Sequence, residues 1–198
     1  KASAARDEDF IEYVHQANMH STMMFFTEQG RLYWTKVYEL PEGNRQSKGR
    51  ALQNMINIQK GDKVCAFIHV KNLNDLEYVQ NHYLIFATKD GLMKKTTLES
   101  YSRPRANGII ALGLREGDRL IRVTLTDGNS QMLVASYNGK VVRFPEDSVR
   151  PMGRTATGVR AIKLDEDGQD RVIGMICVEE GSKESVLVIS EKGYGKRT

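Results

Sequence analysis

The sequence has few cysteine, proline, tryptophan and histidine residues, and it contains no long apolar run. Its 198 residues include two cysteines, four prolines, one tryptophan and four histidines. No apolar stretch approaches the roughly 18 residues that a membrane-spanning helix needs, and no secretory signal peptide opens the chain. Because the chain does not begin with Met, we expect it to be a piece of a longer protein, whose remainder could carry targeting signals.

The two cysteines are too isolated to indicate a disulfide scaffold or a metal site. Cys65 and Cys177 are separated by 112 positions, and each lies in an apolar run typical of a strand. Neither has a partner at metal-binding or redox spacing. We therefore predict two small buried side chains in a reducing compartment.

No pattern in the chain indicates catalysis or metal binding. The four histidines do not show the spacing of a zinc site, and the acidic run at 165–168 lacks the spaced oxygens and final Glu of an EF-hand loop. The Gly-Lys pairs at 139–140 and 195–196 lack the remaining residues of a P-loop. We predict no catalytic residue and no metal site, and we interpret the acidic run as a hairpin turn.

Positive charge is concentrated in four windows, although the net charge of the whole chain is only +4. The windows are residues 30–50, 91–108, 139–160 and 193–198. Together they hold 16 Lys and Arg against 5 Asp and Glu, a net charge of +11, whereas the other residues carry a net charge of −7. Such a polarised chain is suited to an anionic partner.

Each window begins at a glycine, and a Ser or Thr stands three residues before that glycine after a strand-like run. The four glycines are Gly30, Gly91, Gly139 and Gly193. They are spaced 61, 48 and 54 residues apart, a period typical of a bladed β array. Two of the turns, at 90–91 and 138–139, are Asp-Gly or Asn-Gly, and this signal predicts a tight hairpin with positive φ at both central residues.

Each complete repeat is predicted to contain four short strands and a basic loop. The strands before the glycines are 22–27, 83–88, 132–136 and 186–190, and those after them are 31–38, 92–98, 140–144 and 194 onward. Strands after the basic loops are 51–58, 109–114 and 159–164, and strands after the acidic turns are 64–70, 120–125 and 172–178. A further alternating run at 10–14 also predicts a strand. We predict one all-β domain with repeats at about 9–58, 64–114, 119–164 and 171–198.

Two more positions recur in register in the three complete repeats. An apolar residue stands ten positions after the turn glycine, at Leu40, Tyr101 and Val149. A second glycine ends each basic loop. Recurrence of this kind is typical of a repeat architecture.

Four segments of this pattern resemble the C-terminal domain of the DNA gyrase A subunit. They are KVYELPEGNRQSKGRAL (36–52), GLMKKTTLESYSRPRANGIIAL (91–112), GKVVRFPEDSVRPMGRTATGVRAIKL (139–164) and GYGKRT (193–198). The likeness extends along the whole chain without large gaps. It implies a β-pinwheel, a propeller-like disc of about six four-stranded blades, of which this chain would contain about three complete blades and a partial blade at each end.

The sequence departs from that family at one motif. The gyrase A box, Gln-Arg-Arg-Gly-Gly-x-Gly, is absent, and in the family it falls just before a segment like 1–6. Degenerate versions at 45–50, 103–108 and 154–158 resemble those of the family's later blades. They leave open the related C-terminal domain of topoisomerase IV, although the matches at 143–158 and 193–198 favour gyrase.

The resemblance implies a non-catalytic module that binds and wraps duplex DNA on its outer rim, without sequence specificity. The module would support ATP-dependent negative supercoiling by DNA gyrase, an isomerase of the type IIA topoisomerase class. Implied partners are double-stranded DNA, the N-terminal part of the gyrase A subunit, and the gyrase B subunit in an A2B2 holoenzyme. The fragment itself would use no cofactor, since ATP and Mg²⁺ serve other parts, and it would act in the bacterial cytoplasm at the nucleoid, with no membrane partner.

The candidate DNA-binding residues are lysines and arginines that recur in register or lie in the basic loops. Such side chains neutralise phosphates and release counterions, and arginine can hold one phosphate through two hydrogen bonds. At the fourth position after the turn glycine the first repeat has Trp34 in place of a cation, and Lys36 on the same strand face can supply the missing charge. The candidates are Arg31, Lys36, Arg45, Lys48, Arg50, Lys94, Lys95, Arg103, Arg105, Lys140, Arg143, Arg150, Arg154, Arg160, Lys196 and Arg197.

Other interpretations of the same residues remain open at this point. The cations could form solvated faces that protect sheet edges from pairing. A propeller-type interaction scaffold would need apolar or aromatic patches on its rim, and a propeller hydrolase would need convergent carboxylates or a nucleophile with its base. Because the gyrase A box lies outside the chain, we also predict weak DNA binding and incomplete wrapping.

Overall fold

The computed structural model describes residues 13–44, 47, 49–166 and 168–197, and within them it confirms the all-β prediction. In chain order the strands are β1 (Thr22–Thr27), β2 (Arg31–Lys36), β3 (Val64–Val70), β4 (Tyr83–Thr88), β5 (Leu92–Thr97), β6 (Ile109–Ile110), β7 (Leu120–Thr126), β8 (Ser130–Ser136), β9 (Val141–Pro145), β10 (Val159–Arg160), β11 (Val172–Glu179), β12 (Leu187–Ile189) and β13 (Gly195–Arg197). One helix, α1 (Leu76–Asn81), lies between β3 and β4. Short 3-10 helices are Val37–Glu39, Leu52–Asn54, Leu98–Tyr101 and Glu146–Ser148.

By the predicted repeat bounds, the first two sheets each take two of their four strands from the following repeat, and the third sheet takes β11 from the fourth repeat. The strand orders are β3-β1-β2-β6, β10-β5-β4-β7, β11-β8-β9 and β12-β13. β6 follows the basic loop of the second repeat yet pairs with β2 of the first, with Leu32 opposite Ile109. β10 pairs with β5 in the same way, with Met93 opposite Val159. The sheets therefore differ from the predicted contiguous repeats, because the strand after each acidic turn and the strand after each of these basic loops join the preceding sheet.

Strands predicted after the basic loops are short or missing. Residues 51–58 hold a 3-10 helix in place of a strand, and 109–114 and 159–164 keep only two strand residues each. After those two residues the chain crosses the hairpin turn of the preceding repeat, where Ala111 N donates to Gly30 O at 2.8 Å and Ala161 N to Gly91 O at 2.9 Å. The crossing ends the strand pairing.

Two local features near the beginning of the chain differ from the predictions. The strand predicted at 10–14 falls mostly on residues outside the described part, and Tyr13 and Val14 are not in a strand. Helix α1 was not predicted, because its six residues are too few to show helical periodicity. Its start is defined by Asp75, whose carboxylate accepts from Tyr78 N at 3.0 Å.

The hairpin turns differ from the predicted two-residue type. In the second repeat Gly91 N donates to Thr88 O at 3.2 Å, and the Thr88 hydroxyl accepts from Leu92 N at 3.2 Å. Gly91 has a φ of 85°, whereas no described residue other than glycine has positive φ. The turn is therefore a three-residue loop with glycine in the left-handed region. The carbonyl of the Ser or Thr in the sequence signal accepts from the turn glycine in all four hairpins, and the hydroxyls of Thr27, Thr88 and Ser190 add a second hydrogen bond.

The apolar faces of the sheets form cores between neighbouring repeats. One cluster lies between the first and second sheets and includes Phe26, Phe86 and Tyr101. Another lies between the second and third sheets and includes Met93, Met132 and Val149. A smaller cluster covers the other face of the first sheet and contacts Leu40. The recurring apolar residue ten positions after each turn glycine therefore packs in or against a core cluster in all three repeats.

The acidic turns hold the hairpin turns in place. In each of the three complete repeats one aspartate accepts a hydrogen bond from the backbone N–H of the residue before the turn glycine. The pairs are Asp62 with Gln29 at 3.2 Å, Asp118 with Asp90 at 3.0 Å, and Asp170 with Asn138 at 3.0 Å. The same oxygens also accept from the residue that follows each aspartate. The segregated acids therefore have a structural role at one end of each sheet.

Glycines at the ends of two basic loops let those loops pack directly on the preceding repeat. Gly158 has a φ of 102°, and a Cβ there would lie 2.4 Å from Met93 O. Gly108 has a φ of 65°, and a Cβ would lie 2.6 Å from Leu32 O. Both contacted residues stand two positions after a turn glycine. Each basic loop is thus fastened to the β-hairpin of the repeat before it.

We predict that Gly158→Ala destabilises the protein more than Gly117→Ala does. Both glycines have positive φ, but Gly117 has no atom within 4 Å of a built Cβ. A left-handed alanine should cost about 1–2 kcal/mol at either site, and the clash at Gly158 should add about 1–3 kcal/mol. Urea unfolding of the two variants measures the difference, and equal losses would contradict close packing of this loop.

Candidate nucleic-acid interface

A run of connected surface clefts, here called the basic groove, crosses the first three repeats. The first cleft shares Thr35 with the second, and the second shares Ser102 with the third. Each cleft is lined by at least one predicted DNA-binding cation, and the carboxylates of Glu39, Glu42 and Glu99 line the same run. The cations are more numerous. They are Lys36, Arg50, Arg103, Arg105 and Arg154.

The cations of the third cleft are positioned by the core and by the loop packing described above. Arg103 and Arg105 follow the 3-10 helix Leu98–Tyr101, whose Tyr101 is completely buried. Arg154 lies in the basic loop that Gly158 fastens to β5. Three guanidinium groups from two repeats therefore face one cleft of about 620 Å³.

The structure corrects the prediction for Lys94, which is buried. Its ammonium group donates to Ala111 O at 2.6 Å, to Arg154 O at 2.5 Å and to the Tyr101 hydroxyl at 3.2 Å. It also lies 4.7 Å from the centre of the Phe86 ring. Burial, followed by the charge of Arg154, lowers the pKa of Lys94 to about 7. Lys94 therefore ties the first sheet to the basic loop of the third repeat and cannot contact a phosphate in this arrangement.

Lys95 is also buried, which corrects the second of the two predictions on β5. Its ammonium group lies 2.9 Å from a carboxylate oxygen of Glu146 and 4.3 Å from the centre of the Tyr83 ring. Glu146 also accepts from the Thr126 hydroxyl at 2.6 Å and from Ser130 N at 3.3 Å. The pair joins the second sheet to the 3-10 helix that follows β9, so Lys95 has no free charge for DNA.

The first junction between repeats replaces this ion pair with apolar residues in the same positions. Lys95 and Glu146 stand four and seven positions after their turn glycines, where the preceding pair of repeats has Trp34 and Leu98. Leu98 is fully buried, and Trp34 packs against the cluster that contains it. In the first two repeats the fourth position after the turn glycine therefore faces the next repeat, where an apolar side chain meets an apolar one and a cation meets a carboxylate.

Three other candidates are partly engaged within the protein. Arg31 donates to the Tyr33 hydroxyl at 3.2 Å and to Asn107 O at 3.1 Å, and Lys36 donates to His20 O at 3.3 Å. Lys140 forms an ion pair with Asp165. This pair lies beside the acidic turn, at one end of the third sheet. Hydrogen bonds from Lys140 and Asn138 lower the pKa of Asp165.

The remaining candidates in the described part are exposed and form no ion pair with a described residue. Arg143 on β9 lies opposite Leu133 on β8, which in turn lies opposite the exposed Ile176 on β11. The sheet face around Arg143 is therefore partly apolar. Lys196 and Arg197 lie on β13, in the separate two-stranded sheet. The exposed residues are Arg50, Arg103, Arg105, Arg143, Arg150, Arg160, Lys196 and Arg197. Arg45 and Lys48 lie outside the described residues.

Sequence reasoning missed the structural roles of four acidic residues. Glu146 pairs with Lys95, and the three turn aspartates accept hydrogen bonds from the hairpin turns. The aspartates share one position relative to the hairpin turns, so their register could have revealed them. Glu146 gave no such signal, because the equivalent residues of the other complete repeats are apolar. Its role depends on contact with Lys95 from another repeat.

The cysteines are half-buried and free, so they are less buried than predicted. Burial raises the pKa of both thiols to about 12. The Cys177 sulfur lies 3.3 Å from the Met132 sulfur, and Cys65 donates to Phe26 O at 3.5 Å. Both thiols are therefore held in the unreactive protonated form.

The part of the chain that the structure describes contains neither a metal cluster nor a membrane-spanning helix. No three His, Cys, Asp or Glu side chains come together among the described residues as a metal site. No helix in that part is long and apolar enough to cross a membrane.

A protein-family model supports the repeat pattern. The model, described as "DNA gyrase C-terminal domain, beta-propeller", matches residues 21–71, 82–127, 131–179 and 184–198. Each of the first three matched segments contains one hairpin and the strand after the acidic turn. The family match thus covers most of the chain.

Curated relatives agree with this match. The A subunit of DNA gyrase from Salmonella typhimurium is 45% identical over 100% of this chain and 21% of the relative. The corresponding protein of Staphylococcus epidermidis is 42% identical over 97% of this chain and 21% of the relative. This chain therefore spans about a fifth of the length of these relatives.

Two solved structures have a similar fold. The C-terminal domain of DNA topoisomerase IV aligns with a TM-score of 0.84 and 26% identity, covering 98% of this chain and 58% of that one. The DNA gyrase A C-terminal domain aligns with a TM-score of 0.71 and 23% identity, covering 91% and 55%. The second likeness, at this identity, supports the fold alone.

We predict strong coupling between Lys95 and Glu146. Glu146→Gln or Lys95→Met alone leaves one buried charge without its partner and should cost about 3–5 kcal/mol. In the double variant the new amide keeps an acceptor for Thr126 and Ser130, and no charge remains, so the loss should be much less than the sum. Urea unfolding of the four proteins measures the coupling, and additive losses would contradict the ion pair.

We also predict that Lys94 makes stability rise with pH. The pKa of Lys94 falls from its ordinary value of 10.5 to about 7 in the folded protein. Between these two values the unfolded chain binds more protons, so the free energy of unfolding should rise by up to about 1.4 kcal/mol per pH unit from this group. Urea unfolding at pH 7, 8 and 9 should show a smaller rise in Lys94→Met, and parallel curves would refute the assignment.

Proposed function

The chain belongs to the family of DNA gyrase C-terminal domains, and from this premise we propose that it binds duplex DNA along the basic groove. The observation that carries the proposal is the division of charge in the structure. Five cations line the groove against the three carboxylates of Glu39, Glu42 and Glu99, and its arginines form no ion pair with a described residue. Three other acids, the turn aspartates, are engaged in the hairpin turns. An anion is the partner that such a surface lacks.

The groove is suited to the DNA backbone and not to the bases. Lysine and arginine contacts to phosphates position a duplex without reading its sequence. Sequence preference would then arise from how easily the bound DNA bends. Because each repeat offers only a few cations, successive repeats must act together to hold a bent duplex, and their interleaved sheets keep the cations in a fixed order.

Within a complete gyrase we propose that this module wraps DNA and so supports ATP-dependent negative supercoiling. The curated relatives are named as A subunits of DNA gyrase, at identities well above that of the topoisomerase IV structure. We therefore favour the gyrase assembly of A and B subunits over the topoisomerase IV alternative. The module itself would contribute no catalytic group and no cofactor, and ATP and Mg²⁺ would serve other parts of the assembly at the bacterial nucleoid.

We predict that DNA binding depends steeply on salt concentration and that Arg50 contributes to this dependence. Binding of a fluorescent duplex should weaken from 50 to 200 mM salt. In a plot of the logarithm of the binding constant against the logarithm of the salt concentration, each phosphate contact should contribute about −0.9 to the slope. Arg50→Gln should weaken binding of every sequence alike and make the slope shallower by about 1.

Lys60→Gln is the matched control, because Lys60 is exposed and does not line the groove. It should leave the affinity and the slope close to those of the parent. A flat salt response of the parent chain would exclude the DNA proposal. Equal effects of the two substitutions would place the duplex elsewhere on the protein.

A further inference from the structure

The third cleft of the basic groove is built from two repeats and contains more positive charge than its surroundings neutralise. Arg103 and Arg105 come from the second repeat and Arg154 from the third. The lining also includes the carboxylate of Glu99, which accepts from Gln80 at 3.3 Å. Three guanidinium groups thus face one carboxylate, and the buried ammonium group of Lys94 lies directly behind Arg154.

This crowding of cations also extends into the protein. Burial is the main cause that lowers the pKa of Lys94, and the charge of Arg154 lowers it further. Like charges that repel each other in the free protein are relieved when an anion binds between them. The electrostatics of the cleft therefore favour an anionic ligand independently of any family relationship.

Arg154 also has an unused hydrogen-bond donor. Its Nε is buried and has no partner among the described residues. Because Nε is buried, a ligand in the cleft would be held by the two terminal nitrogens, and two oxygens of one phosphate can accept from them. The geometry of a guanidinium fork matches this ligand better than a single ammonium does.

We propose that this cleft binds a phosphate group of the DNA backbone across the junction of the second and third repeats. The inference rests on the proposed function. It adds a clamp, by which we mean one phosphate held by arginines of both repeats. The main chain of the Arg154 loop is already fastened to the second repeat, since Met152 N donates to Lys95 O at 2.8 Å and Gly113 N to Ala156 O at 3.3 Å. A phosphate held by both repeats would strengthen the same junction, so DNA binding and the packing of the two repeats are coupled.

The first test compares two substitutions of Arg154 with a control on the same duplex. Arg154→Gln should weaken DNA binding about tenfold and make the salt slope shallower by about 1. Arg154→Lys should restore the slope but not the affinity, because it keeps the charge and loses the fork. Arg122→Gln removes an exposed arginine that does not line the cleft, and it should bind like the parent.

The second test measures hydrogen exchange at the amides of Gly113 and Met152, with the duplex or with pyrophosphate as the ligand. Both ligands should slow exchange in the parent chain, and neither should do so in Arg154→Gln. Unchanged DNA affinity and exchange in Arg154→Gln would overturn the clamp but leave DNA binding elsewhere on the groove intact. Protection by pyrophosphate without any DNA binding would overturn the DNA assignment and identify a site for free polyphosphate.

Discussion

Two adjacent lysines on β5 hold the three larger sheets in one arrangement. Neighbouring residues on a strand point to opposite faces, so Lys94 reaches back to the first sheet and Lys95 reaches forward to the third repeat. An ammonium group is costly to bury without partners. Lys94 has three oxygen acceptors, and Lys95 has the carboxylate of Glu146. The contacts between these sheets therefore include cations that the sequence alone would assign to the surface.

The same junctions decide where the functional charge lies. A basic loop packs on the hairpin of the preceding repeat because Gly108 and Gly158 permit close backbone contact. That contact moves Arg154 into a cleft with Arg103 and Arg105, although they belong to different repeats. The same loop thus packs the third repeat on the second and places an arginine in the cleft that the two repeats share.

Much of the fold could be predicted from the sequence because its signals are local. The hairpins follow from alternating apolar residues that end at a Ser or Thr and a glycine, and the family resemblance follows from motifs in the basic loops. The predictions failed where a strand needed a partner from another repeat. The strands at 109–114 and 159–164 are cut to two residues because the chain then crosses a neighbouring turn.

The sequence by itself determined the all-β class, the repeat period, the core residue ten positions after each turn glycine, and the presence of cationic loops. These features depend on residues close together in the chain. Only the tertiary structure decided which cations are available to a ligand. Lys94, Lys95 and Arg154 have the same charge, yet the first two are buried between sheets and the third lines a cleft. Charge is a property of the residue, whereas exposure is set by the repeat that packs against it.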